Sequence, residues 1–424
     1  MRTPAMTISC CGSNGVFHDL YSKQSCMKKE TSSASRADAT RAIISGRSSF
    51  SHHGVVNTPV YHASTILHPN VESFEKRHDS KTGDRRKVIY GLLGTPTSFD
   101  LEEAIADLEG GHDALLTSSG LAAINIALLA FLRPGDHVLV ADSVYAWTRS
   151  FCDHMLADLG VEVQYYNPLV GADIASLIRP STRVIFLESP GSYTFEVQDI
   201  PAITQVAREH QVTTILDNTW ATPLFFKSFE HGVDVSVHAA TKYLSGHSDV
   251  MMGAIVCNEA SWEAVHRTHK LFGQCVGPDD AYATLRSVRT LPTRLRAHQE
   301  QGIALATWLA GRDEVAEVLH PALPSHPGHK LWQRDFLGAS GLFSIVLKPQ
   351  PRQAVLDMVN NLELFGIGAS WGGYESLLIP VYPEKHRSAV PWNPSGQLLR
   401  IHAGLESLDD LIVDLEAGLD RLST

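Results

Sequence analysis

Between Leu101 and Arg289 the chain alternates short apolar runs with helical segments. The runs are continuously apolar instead of alternating with polar residues, which is typical of strands buried on both faces of a mainly parallel sheet. They lie at 115–117, 138–141, 184–187, 214–216, 233–237 and 254–256, with helices at 101–109, 121–132 and 200–210. Ligands of such sheets bind beyond the carboxyl ends of the strands. The pattern therefore predicts an α/β fold with a site at that edge.

With 424 residues, the chain is longer than one hydrophobic core usually serves, so about two folded units are expected. We expect residues 1–38 to be a disordered tail, because they are rich in Ser, Thr, Cys and Gly without a hydrophobic period. Met27, within this tail, offers an alternative start of translation. A larger domain is predicted over 95–290. A C-terminal domain is predicted over 291–424, with a long helix at 295–309, strands at 341–347 and 398–401, and helices at 351–362 and from 408.

The composition of the chain excludes several classes of binding partner. The net charge of −11 argues against nucleic acid and anionic membranes, since both surfaces would repel the chain. The longest apolar stretch, Leu121 to Leu132, is too short to span a bilayer. Six cysteines without a CxxC pair favour a reducing compartment. A cytoplasmic protein that acts on small molecules is expected.

Histidine is abundant, but its spacing does not indicate a metal site. The chain has no HExxH motif, and the suggestive short pairs are His266 with His269 and His326 with His329. The second pair lies in Pro-Ser-His-Pro-Gly-His, which cannot form a regular helix. We therefore expect no metal.

Two ionisable residues follow apolar runs in the middle of the alternation. Asp217 ends Thr213-Thr-Ile-Leu-Asp, and Lys242 lies among small residues in His238-Ala-Ala-Thr-Lys-Tyr-Leu-Ser-Gly-His. A lysine amine so placed can form a Schiff base with the aldehyde of pyridoxal 5'-phosphate (PLP), and a carboxylate can hold the pyridine nitrogen protonated. Taken singly, a lysine is usually a surface residue and an aspartate a turn or cap. Their combination predicts a PLP site.

Further residues are compatible with this site, each with a simpler alternative. Ser118-Ser-Gly-Leu-Ala-Ala places free backbone N–H groups at a helix N-terminus, which suits a phosphate or an ordinary cap. Thr241 can add a hydroxyl to the phosphate or only bond its own loop. Tyr145 can stack on a cofactor ring or be a half-buried aromatic. Arg400, within an apolar strand, can grip a substrate carboxylate or form a buried ion pair.

From about Thr40 to its C-terminus the chain resembles the PLP-dependent enzymes of cysteine and methionine metabolism. Besides the Lys242 segment, the resemblance rests on Tyr90-Gly-Leu-Leu-Gly-Thr-Pro-Thr, Leu187-Glu-Ser-Pro-Gly-Ser and Ser370-Trp-Gly-Gly-Tyr-Glu-Ser. It implies the type I PLP fold, similar to aspartate aminotransferase, with a mainly parallel sheet and a smaller α/β C-terminal domain. Most of the family has an arginine two residues after the tyrosine, where this chain has Leu92.

The resemblance also implies roles for individual residues. Lys242 and Tyr145 would be catalytic. The cofactor would be held by Tyr90, Gly120, Leu121, Tyr145, Asp217, Thr241 and Lys242, and the substrate by Ser370, Trp371 and Arg400. Residues 39–94 would form an arm on which Tyr90 reaches the cofactor phosphate of a neighbouring subunit. A homo-oligomer is therefore implied, a dimer that is usually paired into a tetramer.

The closest similarity is to the branch of the family that cleaves L-cystathionine to homocysteine, pyruvate and ammonia in methionine biosynthesis. Gly191 and Ser192 stand where γ-acting branches of this trans-sulfuration family usually carry Thr-Asn. A γ-lyase, a γ-synthase or a cysteine desulfhydrase remains an alternative within the family. A non-catalytic regulator that binds PLP is an alternative from another class. The preferred sulfur amino acid, and the choice between dimer and tetramer, stay open at this point.

Overall fold

The computed structural model describes residues 36–78 and 86–423. Nearly all of the predicted tail, residues 1–35, lies outside the described residues. From Ala37 onward the chain forms one compact unit that contains two sheets.

The larger sheet has seven strands in the order β1-β7-β6-β5-β4-β2-β3. They are β1 Asp113–Thr117, β2 His137–Ala141, β3 Glu162–Tyr166, β4 Thr182–Glu188, β5 Thr213–Asp217, β6 Val235–His238 and β7 Gly253–Cys257. The two strand pairs that include β7 are antiparallel, and the other four pairs of this sheet are parallel. The prediction of a mainly parallel sheet is therefore confirmed. The sequence did not predict β3, because this edge strand reads Glu-Val-Gln-Tyr-Tyr and is only partly buried.

Helices cover both faces of the sheet and connect its strands. In this part of the chain they are Asp38–Ile44, Val71–Glu75, Pro96–Glu109, Gly120–Phe131, Ala146–Phe151, Ile200–Glu209, Thr222–Phe225, Glu259–Leu271 and Pro278–Val288. The third begins five residues before its predicted start at Leu101, because Thr95 and Ser98 form a capping box. It ends at Gly110, whose φ of 81° suits glycine.

The smaller sheet has four antiparallel strands in the order β10-β11-β9-β8. They are β8 Val315–Leu319, β9 Leu342–Leu347, β10 Leu377–Val381 and β11 Leu398–His402, with helices Leu291–Ala310, His329–Asp335, Arg352–Asn360 and Leu408–Asp420. The strands predicted at 341–347 and 398–401 are present, whereas β8 and β10 were not predicted. Leu342, Val346 and Leu398 pack in the same apolar cluster as Ile185 and Leu216 of the larger sheet. The division at 290/291 therefore stays a prediction.

The topology brings five chain segments to one edge of the larger sheet. Strands β2, β4, β5 and β6 run parallel, and β1 has the same direction because β1 and β6 are both antiparallel to β7. The segments that follow these five strands therefore meet at their carboxyl ends, where ligands of such sheets bind. No helix of the described residues is long and apolar enough to cross a membrane.

Candidate active site at the carboxyl edge of the sheet

A cavity of about 500 Å³ opens at this edge. Most of the residues predicted for the site line it, namely Gly120, Leu121, Tyr145, Asp217, Thr241, Lys242, Trp371 and Arg400. Ser370 is not among the lining residues, but it accepts a hydrogen bond from Lys242, which is. The structure thus brings together residues that lie up to 280 positions apart in the sequence.

Lys242 lies in the turn after β6, with its amine inside the cavity. Its Nζ donates a hydrogen bond to Ser370 Oγ at 2.7 Å and lies 5.3 Å from the centroid of the Trp371 ring. Burial, and next the positive charge of Arg400, lower the pKa of this amine to about 8, although Asp217 acts in the opposite direction. A lysine with such a pKa supplies a neutral amine, which is both nucleophile and base.

The uptake of PLP should therefore depend on pH in a specific range. The neutral form of an amine increases as the pH rises through its pKa, so the rate of PLP addition to the apoprotein should rise around pH 8 and level off above it. Stopped-flow absorbance of PLP measures this rate. A rate that continued to rise toward the ordinary lysine value near 10.5 would contradict the assignment of a desolvated Lys242.

Asp217 is the last residue of β5, and hydrogen bonds through Thr219 connect it to the segment that carries Lys242. Its Oδ1 accepts hydrogen bonds from the backbone N and the Oγ1 of Thr219, and the same Oγ1 accepts one from Ala239 N at 2.9 Å. Burial raises the pKa of Asp217. A buried carboxylate of this kind requires a cationic partner to stay ionised, and the protonated nitrogen of a pyridine ring is such a partner.

Glu188 lies beside Asp217, because the two residues are paired at the ends of β4 and β5. Its Oε1 accepts a hydrogen bond from Ser192 Oγ at 2.6 Å, and its Oε2 accepts one from Tyr145 N at 2.7 Å. Burial, followed by the neighbouring carboxylate, raises the pKa of Glu188. Glu188 therefore holds Tyr145 and Ser192 in place through its two carboxyl oxygens, and its raised pKa disfavours a second negative charge next to Asp217.

The helix Gly120–Phe131 directs its N-terminus at the cavity. Ser119 caps it by accepting a hydrogen bond from Ala122 N at 3.1 Å. A Cβ on Gly120 would lie 2.6 Å from the Cβ of Ala239, so only glycine lets the helix approach the lysine segment this closely. The first N–H groups and the positive end of the helix dipole suit a phosphate.

Thr241 forms hydrogen bonds with the backbone of a neighbouring loop, which is the simpler alternative to a phosphate contact. Its Oγ1 donates to Met252 O at 3.1 Å and accepts from Met252 N at 3.0 Å. The residue also lines the cavity. Its predicted contact with the phosphate stays a prediction.

Arg400 is almost completely buried in β11, with 6% of its surface exposed. One of its terminal nitrogens, Nη2, donates to the carbonyl oxygens of Gly368, Ala369 and Ser370 at 3.0–3.1 Å. The ion pairs among the described residues do not include Arg400, so the alternative of a local Asp or Glu partner is not observed. The rest of the guanidinium is available to a carboxylate in the cavity.

A buried contact between a carboxyl group and a histidine near the site was missed by the sequence analysis. Glu109 Oε2 pairs with His238 Nε2 at 2.9 Å, and its Oε1 accepts hydrogen bonds from Asn218, Ser228 and Ser236 at 2.6–3.0 Å. Although burial alone would raise the pKa of Glu109, His238 and these hydrogen bonds lower it. The network joins the residue after Asp217 to the start of the lysine segment. A signal for it in the sequence would have been the histidine of His-Ala-Ala-Thr-Lys.

The two histidine pairs have structural roles. His266 stacks on Trp262 with 5.1 Å between ring centroids, and His269 Nε2 contacts Leu116 O at 2.6 Å. His326 Nδ1 accepts a hydrogen bond from Gly328 N, and His329 Nδ1 contacts Pro321 O, both at 3.0 Å. Over residues 36–78 and 86–423, no three His, Cys, Asp or Glu side chains are grouped to hold a metal ion.

Tyr90 lies on the N-terminal arm and is not among the described residues that line the cavity. Its side chain is 47% exposed, and its predicted contact with a neighbouring subunit stays a prediction. Leu92 faces a second cavity, of about 360 Å³. The nearby Arg86 pairs with Glu103 at 2.9 Å and with Asp113 at 3.0 Å. Arg86 is therefore engaged within its own chain.

The side chains around the larger cavity fit PLP. The helix N-terminus suits its phosphate, Asp217 its pyridine nitrogen and Lys242 its aldehyde. With the mainly parallel sheet, these residues define a PLP-dependent enzyme of the type I fold.

Comparison with known proteins identifies the family. The family of Cys/Met metabolism PLP-dependent enzymes matches residues 39–420, and the chain belongs to it. Cystathionine beta-lyase MetC of Escherichia coli K12 is 44% identical over 90% of this chain and 98% of that protein. An L-alanine/L-glutamate racemase of Wolbachia pipientis is 42% identical over 90% of this chain and 96% of that protein. The crystal structure of MetB from Corynebacterium glutamicum covers 92% of this chain and 99% of its own, with a TM-score of 0.82 at 28% identity. The cofactor is PLP, as the family description states.

Proposed function

We propose that this enzyme is a carbon–sulfur lyase that cleaves L-cystathionine by β-elimination to homocysteine, pyruvate and ammonia. The observation that carries the proposal is the joint presence of Lys242, Asp217 and Arg400 in one cavity. The names of similar proteins, such as the cystathionine beta-lyase of E. coli, support the choice of reaction. Such a reaction places the enzyme in methionine biosynthesis.

Each residue has a role in this reaction that follows from its chemistry. Arg400 would grip the α-carboxylate of the substrate, with Ser370 and Trp371 beside it. Lys242 would take the Cα proton, and its lowered pKa keeps the amine ready as a base. PLP, when bound, supplies the electron sink for the carbon that loses this proton. Asp217 would hold the ring nitrogen protonated, and Tyr145 would stack on the ring.

The test is the keto acid that the PLP-loaded protein releases from L-cystathionine. Pyruvate is expected, because β-elimination leaves the three-carbon half of the substrate. Release of 2-oxobutyrate would mean γ-elimination and would overturn the inference drawn from Gly191 and Ser192, while Lys242 kept its role. A protein that binds PLP and turns over neither thioether amino acids nor L-alanine would be the non-catalytic regulator.

Racemisation is a second candidate, favoured by the similarity to the racemase of Wolbachia pipientis. Both reactions begin when a base takes the Cα proton. L-Alanine has no leaving group at Cβ, so a proton can only be returned to Cα. Release of D-alanine from L-alanine, measured by chiral chromatography, would establish this activity. D-alanine formation without release of pyruvate from any thioether would replace the lyase proposal.

We further propose that residues 39–94 form the arm to a neighbouring subunit in a dimer, and that dimers pair into a tetramer. Large apolar side chains exposed along this segment support the proposal, since 83% of Phe50 and 89% of Leu67 is exposed. The proposed larger domain is 95–290 and the smaller one 291–424. The charge of −11 supports a cytoplasmic enzyme without nucleic-acid or membrane partners.

Substitution of Leu92 by arginine tests which groups bind the cofactor phosphate. Leu92→Arg should tighten PLP binding by roughly 1.5–3 kcal/mol, the usual value of a hydrogen bond to a charged group. Equilibrium dialysis of PLP against both proteins measures the difference. Equal affinities would count against the idea that this chain relies on the Schiff base, Tyr90 and the helix N-terminus.

A further inference from the structure

Two side chains of strand β11 hold one loop of the active site. Residues 400 and 402 share a face of this strand, because side chains alternate along it. Arg400 donates to the carbonyl oxygens of residues 368–370. His402 contacts the next part of the same loop, since its Nε2 lies 3.1 Å from Gly372 N and 3.2 Å from Gly373 O. The strand therefore binds loop 368–373 on both sides of Trp371.

The contact through Nε2 of His402 does not depend on which ring nitrogen carries the proton. A ring protonated at Nδ1 accepts a hydrogen bond from Gly372 N, and a ring protonated at Nε2 donates one to Gly373 O. Burial, and next the neighbouring His298, lower the pKa of His402 well below its usual value. The neutral ring is therefore favoured, and it can hold the loop in both tautomers.

His402 is itself held in place by closely packed rings. It is 0% exposed, and its ring centroid lies 5.2 Å from that of His298 and 5.9 Å from that of Tyr243. The Nδ1 of His298 contacts Ala403 O, in the residue after His402, at 2.9 Å. Tyr243 directly follows Lys242 in the sequence. This packing fixes the position of His402 relative to the lysine segment.

The loop that His402 holds packs against Lys242. Ser370 Oγ accepts the hydrogen bond from the lysine amine, and the Trp371 ring centroid lies 5.3 Å from it. Gly372 has a φ of 84°, and a Cβ there would lie 3.1 Å from the Cα of Lys242, so the loop also packs on the lysine backbone. These contacts remove water from the amine, and burial is the largest cause of its lowered pKa of about 8.

We propose that His402 is a positioning residue, which through its Nε2 holds loop 368–373 against Lys242 and so keeps the amine desolvated and correctly placed. His402 is not among the described residues that line the cavity, so it acts through the loop and not on the substrate. The consequence for turnover rests on the proposed lyase reaction. The consequence for the lysine amine does not, because it can be measured without turnover.

Two substitutions of His402 separate the contact from the filling of space. The amide of glutamine ends about where Nε2 lies and can both donate and accept, whereas the amide of asparagine ends about where Nδ1 lies. His402→Asn should therefore lose the contacts with Gly372 and Gly373, and His402→Gln should keep them. His320→Asn is the matched control, because His320 is also 0% exposed and does not line the cavity. Circular dichroism and thermal melting establish that the variants fold.

The first measurement is the rate of PLP addition to the apoprotein as a function of pH, followed by stopped-flow absorbance. In His402→Asn the midpoint should move from about 8 toward 10.5, because water reaches the amine once the loop is released. In His402→Gln and in His320→Asn it should stay near 8.

A shift of this midpoint can be assigned to the loop, because the variants keep the charges around the amine. Glu188, Asp217 and Arg400 are the charged side chains that line the cavity with Lys242 among the described residues, and all three are unaltered. A midpoint near 8 in a folded His402→Asn protein would overturn the proposal. An equal shift in His402→Gln would also overturn it, since Nε2 would then have no part in the effect.

The second measurement is the kcat and KM of the PLP-loaded enzyme for L-cystathionine. His402→Asn should lower kcat by about 10²-fold, the effect expected when a catalytic group is misplaced by about 1 Å. KM should change little, because Arg400 keeps its three carbonyl partners, and His402→Gln should recover most of the rate. A raised KM with unchanged kcat would contradict the positioning of Lys242. Absence of pyruvate with the wild type would defeat the lyase proposal, and the pH midpoint would still decide the role of His402.

Gly372→Ala examines the same contact without altering the histidine. The added Cβ would press on the backbone of Lys242 and displace the loop, so the midpoint of PLP addition should again rise above about 8. This variant decides the question if His402→Asn does not fold. An unchanged midpoint in Gly372→Ala would show that the loop does not keep water from the amine, and the proposal would fail.

Discussion

Replacing Lys242 with alanine should lower kcat for thioether cleavage by about 10⁴-fold, the upper end of the range for a lost general base. The side chain both holds the cofactor and accepts the Cα proton in the proposed reaction, so its removal eliminates two functions. Initial rates of pyruvate release measure the effect. Absorbance of bound PLP should change as well, because the covalent link disappears.

A matched control distinguishes the loss of this amine from a general effect of removing a lysine. Lys330 is exposed on the helix His329–Asp335 and is not among the residues that line the cavity, so Lys330→Ala should keep the wild-type rate. Circular dichroism establishes that both variants fold. A Lys242→Ala enzyme with a rate near that of the wild type would refute the assignment of the base.

Asp217→Asn should slow turnover by roughly 10²–10⁴-fold. The substitution keeps the shape of the side chain but removes the negative charge opposite the pyridine nitrogen, and the loss of one partner of a buried ion pair typically costs about 3–5 kcal/mol. The cofactor should also bind more weakly, because Asp217 no longer pairs with the protonated ring. Kinetics of pyruvate release and dialysis of PLP measure the two effects.

The control for this variant is Asp173→Asn, on an exposed residue outside the cavity, which should leave both quantities unchanged. Asp217→Glu keeps the charge and should retain more activity than Asp217→Asn. An asparagine variant with unaltered rate and PLP affinity would show that the partner of the pyridine nitrogen is another group, and Glu188 would be the first to examine, since it is paired with Asp217.

The local sequence was sufficient to predict most strands of the larger sheet. Strands such as β2 and β4 contain the uninterrupted apolar runs Val-Leu-Val-Ala and Val-Ile-Phe-Leu, because they are buried on both faces. Strand β3 was missed for the converse reason, since a partly exposed edge strand carries polar residues that no hydrophobic pattern distinguishes from a loop. The same limit applies to β8, whose centre is exposed.

In the site, too, some residues could be predicted from the local sequence, whereas contacts between distant residues could not. Lys242 and Asp217 could be predicted because each follows an apolar run, and the order of strands in an α/β sheet brings such positions to one edge. The bond from Lys242 to Ser370, across 128 positions, could not be predicted from spacing, and neither could the pair of Glu109 with His238. Long-range contacts of this kind depend on how separate elements pack, which no local pattern encodes.

The sequence by itself determined the fold class and the cofactor, and it predicted Lys242 and Asp217 as cofactor-binding residues because both follow buried strands. The tertiary structure decided the direction of the pKa shifts and the hydrogen bonds of the proposed site residues. Burial lowers the pKa of Lys242 and raises that of Asp217. The carbonyl oxygens of residues 368–370 accept hydrogen bonds from Nη2 of Arg400. The tertiary structure also decided the lining of the cavity, since only packing brings Trp147 and Met251 to the same cavity as Lys242. Electrostatic shifts and cavity shape arise from desolvation and from neighbours distant in sequence, and both exist only once the chain has folded.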